Sequence, residues 1–472
     1  MEFGTGLFYL FFFQLIGQPV AKNGSRRIYY YKKKYINCKL PNNNPIDLSK
    51  SSKIPKDSKQ FLEWFVGFTD AEGCFSISSL NNVNHITLKF LIELHRDDVE
   101  ILHRISETLA IGNVNIKGNS AIFVVAKFED IINVLIPIFL KFPLKTTKYL
   151  DFTCFLQAIK IKNKVGFRGS LSQQDKVIFN NLKDSMNKKR LIITEKEQDL
   201  LEKNISISKW WLLGFVEGEG TFGYKHLIPY FQIAQHKKNL FVLEAIEKYL
   251  LNVFKELKSN SNNEEFKFHY TLNRLTGVYS MTIVKVDLNF YYIIPFFESL
   301  QFLSRKKIDY EYWIITVYLH KLGYYYLPEG KKLALQISSS TNKKRYSTSD
   351  SKIELPNIET IKILFDQTPP FDVKRGASEL SHLNKVKEFT IAKGGRKGFM
   401  VYIYECFFPS GSYAPNDKNK KILKGSPFST YGEGHVVLGL RRSSRTIGRY
   451  IDTGKKYKDK YLFSSVPLTG NK

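Results

Sequence analysis

Two pairs of acidic residues follow two apolar stretches of this 472-residue chain. The first stretch is "EWFVGFTDAEG", residues 63–73, and the second is "WWLLGFVEGEG", residues 210–220. The last acid of each stretch, Glu72 or Glu219, falls at the predicted C-terminal end of a helix. Negative charge is unfavourable there unless a cation joins it. Mg²⁺, which binds through one or two carboxylates together with phosphate oxygens, is the cation that suits such a site.

The spacing within the stretches predicts a helix face that occurs twice, with its members 147 residues apart. These members are Trp64, Gly67, Phe68 and Ala71, matched by Trp211, Gly214, Phe215 and Gly218. Positions i, i+3, i+4 and i+7 share one face of a helix, and small residues one turn apart let two helix backbones approach closely. We therefore expect the two helices to pair about a pseudo-two-fold axis and to bring Glu72 and Glu219 together. The alternative is two independent core helices with incidental glycines.

Two further blocks recur in the same order and indicate a duplicated core. "ELHRDDVEILHRI" (93–105) matches "AQHKKNLFVLEAI" (234–246), and "PIFLKFPLKTTKYLDF" (137–152) matches "PFFESLQFLSRKKIDY" (295–310). Ser58 and Ser206 are the expected N-caps of the paired helices, and Gly73 and Gly220 occupy the position of a C-terminal glycine.

Each copy is predicted to contain, in order, a helix, two strands, a helix, a strand and a helix. In "HITLKFLIEL" the apolar residues alternate with a polar set that contains Thr87 and Lys89, a pattern typical of a strand with one face free for solvent or a groove. Two such copies imply a pseudo-symmetric monomer of α+β class. The charged, partly helical segment 163–205 is expected to link the first copy, 53–162, to the second, 206–350.

The bulk composition narrows the class of partner. Lys and Arg number 71 against 44 Asp and Glu, a formal charge of +27, which favours a polyanion such as DNA or RNA. An AT-rich genome would give a similar composition whatever the function. Four scattered cysteines indicate neither a disulfide framework nor a zinc site. Residues 3–21 carry no charge and are just long enough to span a bilayer, so residues 1–52 are interpreted as a partly apolar extension.

With these residues in view, the helices "FVGFTDAEG" and "LLGFVEGEG" resemble the two motifs of a single-chain LAGLIDADG homing endonuclease. The resemblance extends over about residues 58–345, including the ending "STNKKRYST". It implies two αββαββα halves whose saddle-shaped sheets sit in the DNA major groove. It also implies hydrolysis of both strands of a long target with divalent metal ions.

The resemblance further implies roles for individual residues. Metal ligands would be the carboxylates of Glu72 and Glu219 and the backbone carbonyls of Ala71 and Gly218. Lys148 and Lys306, in the shared pattern [LF]-x-[TS]-x-Lys-x-x-Asp, would stabilise the phosphate, with Lys145 and Arg305 as neighbouring DNA-contact candidates. Gln235 matches a position that holds the attacking water, whereas the first half has Leu94 there. The alternative for the lysines is a solvated helix start. Asp70 and Glu217 are expected to be helix-end residues, or residues that support the metal ligands from outside, rather than metal ligands themselves.

The region 351–472 lies beyond the repeat and is predicted to hold a basic helix-turn-helix-like module. "TYGEGHVVLGL" predicts a short helix, Gly439 a break and "SSRTIGRYID" a second helix, an order that can offer the second helix to a DNA groove. It resembles the NUMOD-type DNA-binding modules appended to homing endonucleases. The candidate contacts are Arg441, Arg442, Arg445, Arg449, Lys455 and Lys456. A solvated basic surface is the alternative, and "GFMVYIYE" (398–405) is interpreted as a buried strand.

The leading functional hypothesis is an intron-encoded, Mg²⁺-dependent double-strand DNA endonuclease that acts as a monomer. Its resemblance suggests an organelle genome, a mitochondrion before a chloroplast. The alternative is an RNA maturase whose partner is its host intron RNA; the presence of both acids favours cleavage. A membrane protein is a third hypothesis that rests on residues 3–21 alone, and no feature calls for a small-molecule substrate.

Overall fold

A computed structural model describes most of the chain after residue 58. The described residues are 59–80, 85–165, 171–190, 192–203, 205–257, 266, 268–350, 353–371, 381–392, 401–406, 420–428, 430–465 and 468. The expected N-terminal extension, 1–52, and the expected cap Ser58 lie outside them. Within the described part, no helix has both the length and the apolar character needed to cross a bilayer.

The first half follows the order that the resemblance implies and has one strand more than the residues alone predict. Its elements are α1 Lys59–Glu72, β1 Gly73–Leu80, β2 His85–His95, α2 Val99–Leu109, β3 Asn113–Lys117, β4 Ser120–Val125, α3 Phe128–Asp130, α4 Ile136–Lys141 and α5 Lys148–Val165. A π-helical turn, Ile131–Leu135, joins α3 to α4. The strands form an antiparallel sheet in the order β1-β2-β4-β3.

The segment after α5 contains two helices, α6 Gln173–Asp184 and α7 Glu195–Lys203. The second half then repeats the first. Its elements are α8 Lys209–Glu219, β5 Gly220–Lys225, β6 Ile228–His236, α9 Leu240–Leu257, β7 His269–Asn273, β8 Val278–Ile283, α10 Val286–Leu288, α11 Ile294–Glu298 and α12 Lys306–Lys321. Its sheet has the corresponding order β5-β6-β8-β7. The predicted α+β fold with two αββαββα halves is confirmed.

The alternation in β2 produces the expected two-faced strand. Ile86, Leu88, Phe90 and Ile92 are each at most 5% exposed, whereas Lys89 is exposed and Thr87 is half-buried. Phe90 pairs with Phe75 of β1, and Phe231 pairs with Phe222 at the matching register of β6 and β5. The ring centroids are 5.3 and 5.4 Å apart in the two pairs. The two halves thus bury equivalent aromatic pairs, and within the described part of the chain the polar face of β2 lies on the side away from them.

The ends of the paired helices differ in detail from the sequence prediction. Ser208, and not Ser206, caps α8, because its hydroxyl accepts the hydrogen bond from the Trp211 amide. Gly220 follows the helix as expected, but its backbone is extended (φ −71°, ψ 150°) rather than left-handed. A glycine is required at this position because a Cβ on residue 220 would lie 2.6 Å from the Val216 carbonyl oxygen.

The segment expected to be a linker also contributes to the first half. Asn187, with a left-handed backbone (φ 57°), donates from its amide to Asp151 and from its side chain to the Phe75 carbonyl, at 3.1 and 2.9 Å. Asn342 (φ 58°) makes the equivalent bonds to Asp309 and Phe222 at 2.7 and 3.0 Å. Each asparagine opens the same tetrapeptide, "NKKR" (187–190 and 342–345). The repeat therefore includes this tetrapeptide.

The chain divides into two compact units between residues 382 and 383, later than the expected boundary at 350. Helix α13, Pro328–Ser340, lies before residue 350, but α14, Ile358–Asp366, lies beyond it and still belongs to the first unit. Ile361, Leu364 and Phe365 of α14 are at most 5% exposed and join its hydrophobic core.

The second unit is small and has its own core. Its elements, after α15 Ser381–Ala392 at the boundary, are β9 Tyr402–Cys406, β10 Lys420–Ile422, α16 Tyr431–Val437, α17 Thr446–Tyr450 and β11 Tyr461–Ser464. The strands form an antiparallel sheet in the order β10-β9-β11. Gly439, at φ 70°, separates the two predicted short helices, and the buried His435 of α16 accepts the Ile447 amide hydrogen of α17 at 3.0 Å. The described residues thus contain a short helix, a break at Gly439, a second short helix and, in β9, a largely buried strand, whereas residues 398–400 of the predicted strand lie outside them.

Candidate active site

Helices α1 and α8 meet at two glycines with no room for a side chain. A Cβ on Gly67 would lie 2.0 Å from the Trp211 carbonyl oxygen, and a Cβ on Gly214 would lie 2.0 Å from the Trp64 carbonyl oxygen. These obstacles are backbone atoms and cannot rotate away. The predicted close contact between the two repeated helices is confirmed.

The same contact continues to the C-terminal ends, where the acids stand. A Cβ on Gly218 would lie 2.4 Å from the Ala71 Cβ and 3.2 Å from the Glu72 Oε1. The carboxylate of Glu72 therefore lies against the end of the opposite helix. Its charge raises the pKa of Glu219, the residue that follows Gly218.

A reciprocal exchange between tryptophans and acids crosses the helix contact. The Trp64 indole donates to Glu217 Oε1 at 2.9 Å, and the Trp211 indole donates to Asp70 Oδ2 at 2.8 Å. Asp70 and Glu217 are 3% and 4% exposed. Each half thus supplies a donor to the buried acid of the other half, which fixes the relative position of the two helices.

Asp70 and Glu217 also anchor the loops that carry the lysines. Asp70 accepts the amide hydrogens of Lys145 and Thr146 at 2.8 and 3.0 Å and the Thr146 hydroxyl at 2.7 Å. Glu217 accepts the Leu303 amide hydrogen at 2.9 Å and that of Ser304. All the oxygens of these acids are engaged with protein donors. These contacts give both acids a structural role at the ends of the paired helices.

We expect Asp70→Ala to lower the free energy of unfolding by more than about 3 kcal/mol, because it leaves four buried donors without an acceptor. Glu72→Ala, two residues further along the same helix, is the matched control and should change it by less than about 1 kcal/mol. Urea unfolding followed by tryptophan fluorescence measures both, since all four tryptophans (64, 210, 211 and 313) belong to the first unit. Equal losses in the two variants would contradict the distinction between a structural and a functional acid.

Glu72 and Glu219 stand in an environment that disfavours two bare charges. Burial raises the pKa of Glu72, although Lys148 and Lys306 oppose the shift. Burial and then the charge of Glu72 raise the pKa of Glu219, against the two lysines and a hydrogen bond from Gln235. Two crowded carboxylates that keep part of their surface exposed form a hard oxygen donor set, and such a set fits a divalent cation that also binds phosphate. No cluster of three or more acid, histidine or cysteine ligands occurs among the described residues, so the carbonyl oxygens, phosphate and water would complete the coordination.

The two lysines of the shared pattern occupy unequal positions. The Lys148 ammonium donates to the carbonyl oxygens of Thr69, Asp70 and Ala71 at 3.1, 2.8 and 2.7 Å. The Lys306 ammonium donates to the Gly220 carbonyl at 2.9 Å. Lys148 thus neutralises the C-terminal end of α1 and engages the Ala71 carbonyl expected to bind metal. Neither lysine is a solvated helix start, because both reach back to the ends of the paired helices.

Of the DNA-contact candidates near the site, two are held by protein groups. The Lys145 ammonium lies 5.9 Å from the centre of the Trp211 ring and is close enough to Asp70 to feel its charge. The Arg305 guanidinium donates to the Asp97 carbonyl at 2.7 Å. Their contacts favour roles in joining the halves. Thr87 and Lys89 remain on the free face of the first sheet.

Two residues near the paired acids, Asn239 and Asp98, were not predicted from the sequence. Asn239 joins Gln235 to the opposite half, and Asp98, at the equivalent position, accepts from the Tyr346 hydroxyl at 2.7 Å and from Arg345 at 3.4 Å. The partners of Asp98, Arg345 and Tyr346, lie at the end of the second "NKKR" and directly after it. The repeat of this tetrapeptide could therefore have pointed to Asp98. Asn239 had no such signal, because its counterpart is an aspartate.

In the second unit the candidate DNA-contact residues form a basic surface around α17. Arg441, Arg442, Arg445, Arg449 and Lys455 are exposed, and Lys456 is half-buried. Only Arg449 lies within the helix itself; the first two arginines precede it and Arg445 is its N-cap. The candidate DNA-contact residues therefore lie in the turn and after the helix as well as in the short helix itself.

The duplicated fold and its central pair of acids define a pseudo-two-fold, single-chain protein of the meganuclease type. A family model described as "LAGLIDADG endonuclease" matches residues 65–159 and 212–317, one match in each half. The part of the chain between residues 65 and 317 therefore carries two LAGLIDADG endonuclease domains, the two-motif form of that family.

Relatives extend the match over most of the chain. The "Uncharacterized mitochondrial protein RF1" of Saccharomyces cerevisiae is 25% identical over 435 residues, 89% of this chain and 85% of that protein. The "Probable intron-encoded endonuclease Cox1-I1b" of Schizosaccharomyces pombe is 29% identical over 245 residues, 49% of this chain. The alignment spans 61% of that endonuclease.

A crystal structure of "Meganuclease I-SmaMI Bound to Uncleaveable DNA with a TTCT Central Four" superimposes with a TM-score of 0.50. The match has 22% sequence identity and covers 61% of this chain and 99% of that one. This likeness concerns the fold, and it agrees with two antiparallel sheets joined through a central helix pair.

Proposed function

We propose that this protein is a site-specific, double-strand DNA endonuclease that is encoded by a mitochondrial intron and acts as a monomer. The observation that carries the proposal is the pair Glu72 and Glu219, crowded at the junction of two helices and flanked by Lys148 and Lys306. Burial of two neighbouring carboxylates without a cation is unfavourable in free energy. Unfavourable local arrangements of this kind are typical of functional sites. The names of the mitochondrial and intron-encoded relatives support the source and the activity.

Divalent metal, Mg²⁺ above all, would be held by Glu72 and Glu219 with the carbonyls of Ala71 and Gly218. When bound, the metal supplies activation of water and stabilisation of negative charge on the phosphate and the leaving oxygen. The protein's own part is to hold the two carboxylates at one centre line, so that each serves one strand. Lys148 and Lys306 supply positive charge at the same place, and Lys148 would exchange carbonyl oxygens for phosphate when DNA is present.

DNA would be bound by the free faces of the two sheets and by the basic surface of the second unit. Thr87 and Lys89 mark the face of the first sheet, opposite its buried aromatic core. The exposed arginines of the NUMOD-like module would add phosphate contacts outside the central site. The excess of 27 positive charges over the whole chain supports a long DNA target.

The test is cleavage of the intronless allele of the host gene by the full-length protein. We expect a single double-strand cut with Mg²⁺ and binding without cutting when the divalent cation is chelated. Because phosphate contacts release counterions, the logarithm of the binding constant should fall steeply and linearly with the logarithm of salt concentration. Cutting in the presence of a chelator, or a complex that is insensitive to salt, would contradict the proposal.

A further inference from the structure

A chain of hydrogen bonds connects the first half to the Glu219 carboxylate of the second half. The backbone amide of Thr147 donates to the Asn239 Oδ1 at 3.0 Å. The Asn239 Nδ2 donates to the Gln235 Oε1 at 2.8 Å. The Gln235 side chain, which is 8% exposed, in turn hydrogen-bonds to Glu219. Thr147 directly precedes Lys148, so this relay begins beside one active-site lysine and ends at an active-site acid.

The direction of the relay is set by its first member. A backbone N–H can only donate, so the side chain of Asn239 must present its oxygen to Thr147 and its NH₂ group to Gln235. Gln235 then has to present its oxygen to Asn239, which leaves its own NH₂ group for Glu219. An amide side chain could otherwise face the acid with either atom. The orientation of Gln235 therefore does not depend on a bound ligand.

We propose that Asn239 is a positioning residue that holds Gln235 as a hydrogen-bond donor to Glu219 and thereby preorganises only one of the two cleavage centres. The inference rests on the proposed nuclease function and adds to it a difference between the rates at which the two DNA strands are cut. Gln235 is held with its carbonyl oxygen toward Asn239, so the group that it presents to the Glu219 centre is an NH₂ donor.

The equivalent positions of the first half cannot form this relay. Leu94 replaces Gln235 and has no polar side-chain atom, and Asp98 replaces Asn239. The Asp98 carboxylate is occupied by Tyr346 and Arg345, and Arg305, the counterpart of Thr147, lies 3.9 Å from it. Negative charge from Asp98 also reaches Glu72. The Glu72 centre thus has a second acid nearby, where the Glu219 centre has an amide donor.

Unequal centres predict unequal cutting of the two strands. With a preformed donor, the Glu219 centre needs less reorganisation to reach its working arrangement. We expect a nicked intermediate, cut in the strand that Glu219 serves, to accumulate before the second cut. A substrate labelled separately on each strand measures both rates in one reaction.

Asn239→Asp reverses the relay while it preserves the side-chain shape. Aspartate can accept from Thr147 but cannot donate to Gln235, so Gln235 must turn its NH₂ group toward residue 239 and its oxygen toward Glu219. We expect cutting of one strand to fall about tenfold or more, as for the loss of one hydrogen bond to a charged group, and cutting of the other strand to stay within about twofold. Equal losses on both strands would show a merely structural role.

A double-mutant cycle separates action through Gln235 from any direct effect. Gln235→Met removes the amide, and Asn239→Asp should then change the strand ratio no further. Independent effects that multiply would overturn the relay. The melting temperature of each variant, followed by tryptophan fluorescence, verifies that the first unit is folded.

A second measurement needs neither DNA nor metal. In the full-length protein labelled with ¹⁵N in glutamine side chains, the Gln235 signals, identified by their loss in Gln235→Met, should shift in Asn239→Asp. Unchanged signals would overturn the relay even if the protein cuts DNA. If the wild-type protein does not cut, the proposed function fails, while the shift still decides whether Asn239 orients Gln235.

Discussion

Glu72→Gln and Glu219→Gln should each lower the rate of double-strand cutting by about 1000-fold or more and leave DNA binding intact. Glutamine keeps the shape of glutamate but loses the charge that would hold a divalent cation, and the lost stabilisation amounts to several kcal/mol. Cutting rates at saturating enzyme and a parallel binding titration measure the two effects separately. Glu107→Gln, an exposed acid on α2, is the control and should cut at the wild-type rate.

The same two variants should be more stable than the wild-type protein at neutral pH without metal. The pKa of each carboxyl is raised in the folded state, so the folded protein holds these protons more tightly than the unfolded chain does. The wild-type protein therefore loses stability as the pH rises from the ordinary glutamate range through the raised values, and glutamine removes that loss. Urea unfolding at pH 4 and at pH 8 should show a stabilising effect only at the higher pH. In the cutting assay described above, unchanged cutting by both variants would contradict the assignment of Glu72 and Glu219 as the catalytic acids.

Gly67→Ala and Gly214→Ala should each lower the free energy of unfolding by more than about 4 kcal/mol. A single methyl group at either position would overlap a backbone carbonyl oxygen of the other helix, so relief requires the helices to move apart. Separation of the helices would also break the exchange of hydrogen bonds between the tryptophans and the buried acids. Urea unfolding followed by tryptophan fluorescence gives the magnitude.

Gly448→Ala is the matched control for these substitutions. This glycine also lies in a helix, α17, but its added Cβ would meet only a tyrosine side chain, at 3.3 Å. We expect no loss greater than a few tenths of a kcal/mol, since alanine is the better helix former. Circular dichroism follows the second unit, which has no tryptophan. A small effect at Gly67 and Gly214 would mean that the helix contact is loose.

A further pair of variants probes the contact nearest the acids. Gly218→Ala alone would crowd the Ala71 methyl group, whereas Gly218→Ala combined with Ala71→Gly restores one methyl group between the helices. The combined variant should regain most of the stability lost by the single one. The space between the helices holds one methyl group, and either helix can carry it. Failure of this rescue would indicate that the Glu72 side chain, and not Ala71, is what the added methyl group disturbs.

The sequence alone was sufficient for the fold because duplication made each local pattern appear twice. Glycines at Gly67 and Gly214 and the alternating apolar residues of β2 have few other structural explanations, and the structure confirms both. The cap at Ser208 was misplaced by two residues, since Ser206 and Ser208 are chemically equal candidates and only the start of the helix distinguishes them. Domain limits were harder, because α14 belongs to the first core through contacts distant in sequence.

The site was predictable where chemistry and repetition coincide and less so where the halves diverge. Glu72 and Glu219 are repeated, whereas Asn239 and Asp98 differ, and a difference between copies carries no pattern from which to infer a role. The contacts of Arg305 and Lys145 depend on how the two halves meet. Such contacts are set by three-dimensional placement, and spacing along the chain does not reveal them.

The two "NKKR" segments also bear on the ancestry of the chain. Both close their half with the same left-handed asparagine, the same bond to a strand carbonyl and the same arginine–aspartate pair. Each half uses these contacts on its own residues. A single-copy ancestor would therefore already have had the NKKR segment at its C-terminal end. The piece of gene that was copied therefore reached past the helices with the acids and lysines, as far as residue 190 of the present chain. The covalent connection between the halves is then the stretch from residue 191 to the start of α8.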